Sequence, residues 1–121
     1  MYLIDTNIII YYLNGDKQAR HFLNENHGHL AISTITVLEV LSFGNDENAV
    51  TIAESFLQNN FTWLDVSRDI VFESAKIRRQ KKTKTPDAII GATAVCHNLT
   101  LVSRNEKDFQ HLPCKLINPI D

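Results

Sequence analysis

Short apolar runs alternate along this chain with segments whose apolar residues recur at helical spacing. The runs predict β-strands at residues 1–4, 30–33, 61–66 and 99–103, with a possible short fifth at residues 115–117. Helices that separate strands make right-handed crossovers, so the strands lie parallel and helices cover both faces of the sheet. The sequence therefore predicts an α/β fold with a four- to five-stranded, mainly parallel sheet.

The segments between the predicted strands carry residues typical of helix ends. Asp16 and Ser67 are expected N-caps. Thr85 is expected to cap a helix with Pro86 at its first position, where a missing N–H costs nothing. A helix expected between residues 46 and 58 has one apolar face, formed by Ala49, Ile52, Ala53, Phe56 and Leu57.

The length and composition fit a single globular domain spanning residues 1–121. No apolar run approaches the ~18 residues that a membrane span needs, and the N-terminus lacks the pattern of a secretory signal. We therefore expect a cytoplasmic protein. Cys96 and Cys114 form no CxxC pattern and do not combine with the histidines at zinc-site spacings, so no zinc site is predicted.

Three carboxylates stand near predicted element boundaries. Asp5 ends the first apolar run, Glu39 lies about one turn into the segment after the second run, and Asp87 follows Pro86. Ligands of an open parallel sheet bind beyond the C-terminal strand ends, where residues distant in sequence meet. Converged carboxylates suit hard cations such as Mg²⁺ and hence phosphoryl chemistry. We expect the three carboxylates to surround one cavity there, with Ser103 nearby.

Each acid also has an ordinary structural explanation. Asp5 and Asp87 lie at expected helix starts, where a carboxylate can accept hydrogen bonds from free N–H groups. Glu39 fits the spacing of a capping box. It also lies in the apolar stretch 37–41, where an ionised side chain needs a partner. Asp65 is interpreted as a plain strand-end residue.

A basic run interrupts an otherwise acidic chain of net charge −2. Such a run can contact phosphate, and its position just before Asp87 favours that role. The alternative is a solvated helix end whose cations complement the negative end of the helix dipole. Six of the nine residues from position 76 to position 84 are basic, and the candidates for RNA binding among them are Arg78, Arg79, Lys81 and Lys82.

Four short motifs follow one another in order and span nearly the whole chain. They are Leu-Ile-Asp-Thr-Asn at residues 3–7, Glu39 within residues 33–40, Pro-Asp-Ala-Ile-Ile-Gly-Ala-Thr-Ala at residues 86–94, and Leu-Val-Ser-Arg-Asn at residues 101–105 followed by Asp108 and Phe109. The ordered set resembles the PIN-domain ribonucleases, most closely the VapC-type toxins of bacterial and archaeal toxin–antitoxin pairs.

The resemblance implies a three-layer α/β/α sandwich whose acids bind Mg²⁺ or Mn²⁺ at one end of the sheet. Asp5, Glu39 and Asp87 match the three main catalytic acids of the family. Asp5 and Asp87 would hold the principal ion, and Glu39 would either ligate it or orient the attacking water.

The last motif departs from the commonest family pattern. Many relatives have aspartate where this chain has Asn105, whereas others have asparagine there and an acid three residues later. Asp108 occupies that later position and is a candidate for a weaker metal ligand. Ser103 matches the hydroxyl residue of the motif, and the supporting polar residues of the implied site are Thr6, Ser103 and Asn105.

The function that this resemblance implies is a metal-dependent endoribonuclease, the toxin of a type II toxin–antitoxin system. It also implies a homodimer, a small antitoxin protein that blocks the acidic site, and a structured RNA substrate such as tRNA. One alternative is a non-catalytic PIN-like module that binds RNA or protein. Another is a PIN nuclease that acts in RNA processing or on DNA.

Overall fold

Five short parallel strands form the centre of the protein, and the computed structural model describes residues 1–44 and 46–121. The strand order is β3-β2-β1-β4-β5, and every neighbouring pair is parallel. The predicted parallel sheet is thereby confirmed. The strands are β1 Tyr2–Ile4, β2 Leu30–Ser33, β3 Thr62–Leu64, β4 Thr100–Val102 and β5 Leu116–Ile117.

Helices cover both faces of this sheet. Successive strand residues point to opposite faces, so Leu3, Ala31 and Leu101 join one buried core, whereas Ile4, Ile32 and Val102 join the other. This confirms the three-layer α/β/α sandwich. In the described ranges no helix is both long and apolar enough to cross a bilayer. The helices are α1 Thr6–Leu13, α2 Lys17–Glu25, α3 Thr34–Leu41, α4 Glu47–Asn60, α5 Arg68–Gln80, α6 Thr85–His97 and α7 Glu106–Phe109.

The connectivity places a crevice between β1 and β4. From β1 the chain moves outward to β2 and β3, and it then returns to the other side of β1 to form β4 and β5. Because the crossovers leave β1 and β4 in opposite directions, their C-terminal ends form the topological switch point of the sheet, where open α/β folds bind ligands. Asp5 follows β1 directly, and Ser103 follows β4 directly.

The expected cap at Thr85 is wrong by one residue. Lys84 is the N-cap of α6, because it has an extended backbone and its carbonyl accepts the first helical hydrogen bond from the Ala88 N–H, 2.9 Å away. Thr85 is already helical, and Pro86 lies in the first turn. Asp16 and Ser67 are the N-caps of α2 and α5, as predicted.

The apolar face predicted for α4 is only partly buried. Leu57 is fully buried and Ala53 and Phe56 pack against the core, but Ala49 and Ile52 are exposed to solvent. Ala49 and Ile52 line an apolar groove between α1, α3 and α4. The helical spacing of apolar residues in α4 therefore includes both buried core residues and exposed groove residues. Spacing alone does not distinguish the two.

Candidate active site

Asp5 is the buried centre of the polar cluster at the switch point. It is the N-cap of α1 and is only 4% exposed. The Thr6 N–H donates to its Oδ1 at 2.8 Å, and the Ser103 hydroxyl donates to its Oδ2 at 2.7 Å. Asp5 is thus a helix cap, as its ordinary explanation predicted, but its second oxygen is held by a residue from the far end of the chain.

Glu39 reaches the same cluster from the second turn of α3. The Thr6 hydroxyl donates to Glu39 Oε1 at 2.6 Å, and Thr36 Oγ1 lies 3.0 Å from the same hydroxyl oxygen. Ser33 is the N-cap of α3, where its hydroxyl accepts from the Ile35 N–H. The capping-box explanation for Glu39 therefore does not apply, and Thr6 connects two of the three acids.

Asp87 enters the cluster from the first turn of α6. Its side chain is half-buried, and among residues 1–44 and 46–121 no protein donor is hydrogen-bonded to its carboxylate. Asp87 is therefore not a helix cap. Asp87 lies on α6, which follows α5 rather than a strand. The three acids therefore come from the end of β1, from α3 and from α6.

The three acids line one cavity of about 580 Å³, which we call the acid cavity. Asp5, Glu39 and Asp87 all line it, and Asn105 lines its edge. The Asn105 N–H donates to Ser103 Oγ at 2.9 Å, and its side-chain amide donates to Asp108 Oδ2 at 2.6 Å. The predicted polar residues Thr6, Ser103 and Asn105 thus all contact an acid of the cluster or its immediate partner.

Burial and like charge raise the pKa values of two of these acids. Desolvation raises the pKa of Asp5 to about 6, hydrogen bonds from Ser103 and Thr6 oppose the rise, and the charges of Asp87 and Glu39 add to it. The pKa of Asp87 is also raised, chiefly by desolvation and then by Asp108 and Glu39, while Lys84 lowers it. Without a counter-charge, the cluster favours retention of a proton.

The donor set fits a hydrated divalent ion. Within the described ranges, no three His, Cys, Asp or Glu side chains lie close enough to form a ready-made metal cage. Mg²⁺ does not require one, because it commonly binds through one or two carboxylates and keeps several waters. Asn7 also lines this cavity, and its Oδ1 is a buried acceptor without a hydrogen-bond partner among the described residues.

The basic run divides at the end of α5. Arg78, Lys81 and Lys82 line a second cavity of about 430 Å³ together with Lys84, whereas Arg79 is not among its lining residues. Asp108 also lines this second cavity, and Asp87 and Lys84 line both cavities. The structure therefore places three of the four basic candidates next to the acids.

Two site residues were missed by sequence reasoning. Lys84 belongs to the basic run but was not selected from it, although its position directly before Thr85-Pro86-Asp87 was an available signal. Asn7 stands in the first motif, yet nothing local indicates that it lines the cavity or that its Oδ1 is buried. Both positions depend on where α1 and α6 meet the end of the sheet.

Comparison with known proteins shows the family of this chain. A profile of the PIN domain matches residues 2–114. The chain belongs to the PIN-domain family, which confirms the resemblance found in the sequence.

Its relatives within that family include proteins named ribonuclease VapC. Ribonuclease VapC2 of Haemophilus influenzae is 31% identical, covering 92% of this chain and 91% of that protein. Ribonuclease VapC2 of Rickettsia felis is 27% identical, covering 93% and 92%. Among solved structures, a toxin–antitoxin complex from Klebsiella pneumoniae contains a chain that is 36% identical, with a TM-score of 0.89, over 100% of this chain and 99% of that one.

The raised pKa of Asp5 predicts a specific pH dependence in the metal-free protein. Because the folded pKa of about 6 exceeds the ordinary value of 3.8, the folded state binds more protons between these values, and its stability falls as pH rises through this window. Asp5→Asn removes that loss. In EDTA, the substitution should therefore be about 2 kcal/mol more stabilising at pH ~7.5 than at pH ~4.5, as measured by urea unfolding.

The matched comparison is Asp65→Asn, which changes an exposed aspartate outside the cavity. It measures what the same substitution does away from the cavity. A pH-dependent effect of Asp5→Asn no larger than that of Asp65→Asn would contradict the raised pKa of Asp5.

Proposed function

We propose that this protein is a metal-dependent endoribonuclease, the toxin of a type II toxin–antitoxin pair. The observation that carries the proposal is the shared cavity of Asp5, Glu39 and Asp87 at the switch point of the sheet. The names of its relatives support the RNA substrate and the toxin role. Its substrate would be structured RNA such as tRNA, as the family resemblance implies.

The acids have distinct roles in this proposal. Asp5 and Asp87 would hold Mg²⁺ or Mn²⁺, with Glu39 and Asp108 as weaker or water-mediated partners. When bound, such an ion lowers the pKa of an attacking water and offsets the negative charge that develops on the scissile phosphate.

The side chains around the acids fix their positions. Ser103 and the Thr6 N–H hold both oxygens of Asp5, so its carboxylate has one orientation. The Thr6 hydroxyl holds Glu39 Oε1 and leaves Oε2 to orient the attacking water and accept its proton. Water is thus the nucleophile, and no covalent enzyme intermediate is required.

A non-catalytic binding module is the less favoured alternative. Two of the acids have raised pKa values, chiefly because burial desolvates them and further because like charges lie near them. That arrangement is unfavourable without a cation, and a protein that only holds RNA gains nothing from negative charge facing phosphate.

Asparagine substitutions test the catalytic assignment. Asp87→Asn and Asp5→Asn each should reduce Mg²⁺-dependent RNA cleavage by at least about a hundredfold, or roughly 2.7 kcal/mol in barrier, and excess EDTA should stop the wild-type reaction. Cleavage of labelled RNA in single turnover measures the rates, and single-stranded DNA of the same sequence tests the substrate class.

Asp65→Asn is the control and should cleave at the wild-type rate. Near-normal cleavage by either cluster variant would make that aspartate structural. Cleavage that continues in EDTA would exclude the metal-dependent mechanism.

An apolar groove supports an antitoxin partner. The groove, about 420 Å³, lies between α1, α3 and α4 and includes Phe43 and Ile52, which are 65% and 67% exposed. It shares Ile10, Asn14 and Phe43 with the acid cavity. We infer that an apolar segment of a small antitoxin lies in the groove and extends toward the acids, so that it blocks them.

Placing a charge in the groove should prevent this association. Ile52→Glu should weaken binding of the antitoxin, which is to be sought as the product of a short reading frame upstream of this one, at least about tenfold, because a carboxylate would be desolvated against apolar atoms. RNA cleavage by the free protein should be unchanged. Calorimetry measures the affinity, and Phe72→Glu, at an exposed position outside the groove, is the control. Equal affinities for both variants would place the antitoxin elsewhere.

We also propose that residues 1–121 act as one nuclease domain in the cytoplasm and as a homodimer, as the resemblance implies. Both core clusters pack against the same sheet, which supports a single domain. The mass of the protein in solution tests the homodimer.

A further inference from the structure

A basic cavity lies beside the acid cavity and has no role in the chemistry described above. We call the cavity lined by Arg78, Lys81, Lys82 and Lys84 the basic cavity; Thr83, Asp87 and Asp108 complete its wall. Its lysines and arginine are exposed to solvent. In the described part of the chain the single ion pair joins His21 to Glu25, so no carboxylate within 4.0 Å neutralises the four cations.

Hydrogen bonds hold the loop that carries these cations. Arg78 Nε donates to the Thr83 carbonyl at 3.1 Å, and the Thr83 hydroxyl donates to the Lys81 carbonyl at 2.8 Å. Lys81 Nζ donates to the Lys107 carbonyl at 3.3 Å, which connects the loop to α7. Arg78 and Lys81 therefore have defined side-chain positions before any ligand arrives, and this lowers the entropy cost of binding.

The helix dipole explains only part of this charge. Arg78 and Arg79 lie in the last turn of α5, where cations offset the negative end of the dipole. Lys81 has an extended backbone, and Lys82 and Lys84 follow it outside the helix. The dipole effect fades within the last turn, so the lysines after α5 require another explanation.

The two cavities adjoin at Asp87 and Lys84, which line both. We propose, on the basis of the nuclease function above, that the basic cavity binds the backbone phosphate of a nucleotide flanking the scissile bond. The RNA strand would then cross from the acid cavity to the basic cavity past Lys84. The overall charge of −2 would repel RNA elsewhere, so this site would position the strand for cleavage.

The lining favours a phosphate over a base. No aromatic side chain is among the described lining residues, so the cavity offers no stacking platform of the kind that holds single-stranded bases. Lysine and arginine side chains instead supply several N–H donors to phosphate oxygens. An acidic segment of a protein partner has similar charge, and the experiment below distinguishes it.

Binding of a labelled ten-nucleotide single-stranded RNA to the Asp5→Asn protein tests the proposal without cleavage. Each lost phosphate contact should reduce the slope of log affinity against log salt by about 0.7, which is about fivefold in affinity at 0.1 M salt. Lys82→Gln should show one such loss, and Lys81→Gln with Lys82→Gln should show two. Lys82→Arg should retain the affinity.

Lys76→Gln is the matched control, because it removes a charge from the same run outside the cavity. It should leave the salt slope unchanged. An effect equal to that of Lys82→Gln would mean that RNA responds only to overall charge, and an unchanged slope in the double variant would mean that the cavity binds no phosphate. A double variant that loses affinity for an acidic probe peptide such as poly-glutamate, but keeps its affinity for RNA, would assign the cavity to an acidic protein segment. Each of these results would overturn the proposal.

Cleavage kinetics in the otherwise wild-type protein separate this proposal from the proposed function. Lys82→Gln should raise the KM for the ten-nucleotide RNA about fivefold with little change in kcat, and it should not alter cleavage of a dinucleotide, which has no flanking phosphate. Absence of all cleavage in the wild-type protein would refute the nuclease function, while the binding measurement would still decide the role of the basic cavity. Equal KM values on the longer RNA would overturn the flanking-phosphate proposal alone.

Discussion

Desolvation of carboxylates gathered at the switch point of the sheet, to which their mutual repulsion adds, is the constraint on which the site depends. The fold places Asp5 at the end of β1, Glu39 on α3 and Asp87 on α6, and all three line one cavity. Burial and mutual repulsion raise the pKa of Asp5 to about 6. A divalent cation would offset the cost of keeping these carboxylates ionised. The arrangement that is unfavourable in the metal-free protein therefore favours metal binding.

Hydrogen bonds from Thr6 and Ser103 stabilise the charged forms of the gathered carboxylates. Thr6 donates through its backbone to Asp5 and through its side chain to Glu39, and Ser103 holds the other oxygen of Asp5. Ser103 also accepts from the Asn105 N–H, which fixes the turn after β4, and its bond to Asp5 joins the end of β4 to the end of β1. The polar contacts around the acids thus stabilise the sheet terminus and orient the carboxylates together.

Local patterns in the sequence predicted much of this structure. Apolar runs predicted the strands and their parallel orientation, and capping residues predicted the starts of α2 and α5, because these features depend on neighbours in the chain. The cap of α6 was misplaced by one residue, since backbone conformation at Lys84 decides it. The cavity positions of Asn7 and Lys84 depend on how distant helices pack, which local spacing does not encode.

Asp5 and Asp87 are proposed to hold a divalent cation in the acid cavity, and crystals grown with Mn²⁺ and measured at the manganese absorption edge test this proposal. An anomalous peak is expected within about 2.5 Å of a carboxylate oxygen of each residue, with waters completing the coordination. At saturating Mn²⁺, an acid cavity without a peak, together with a peak at other acids, would refute metal binding by Asp5 and Asp87.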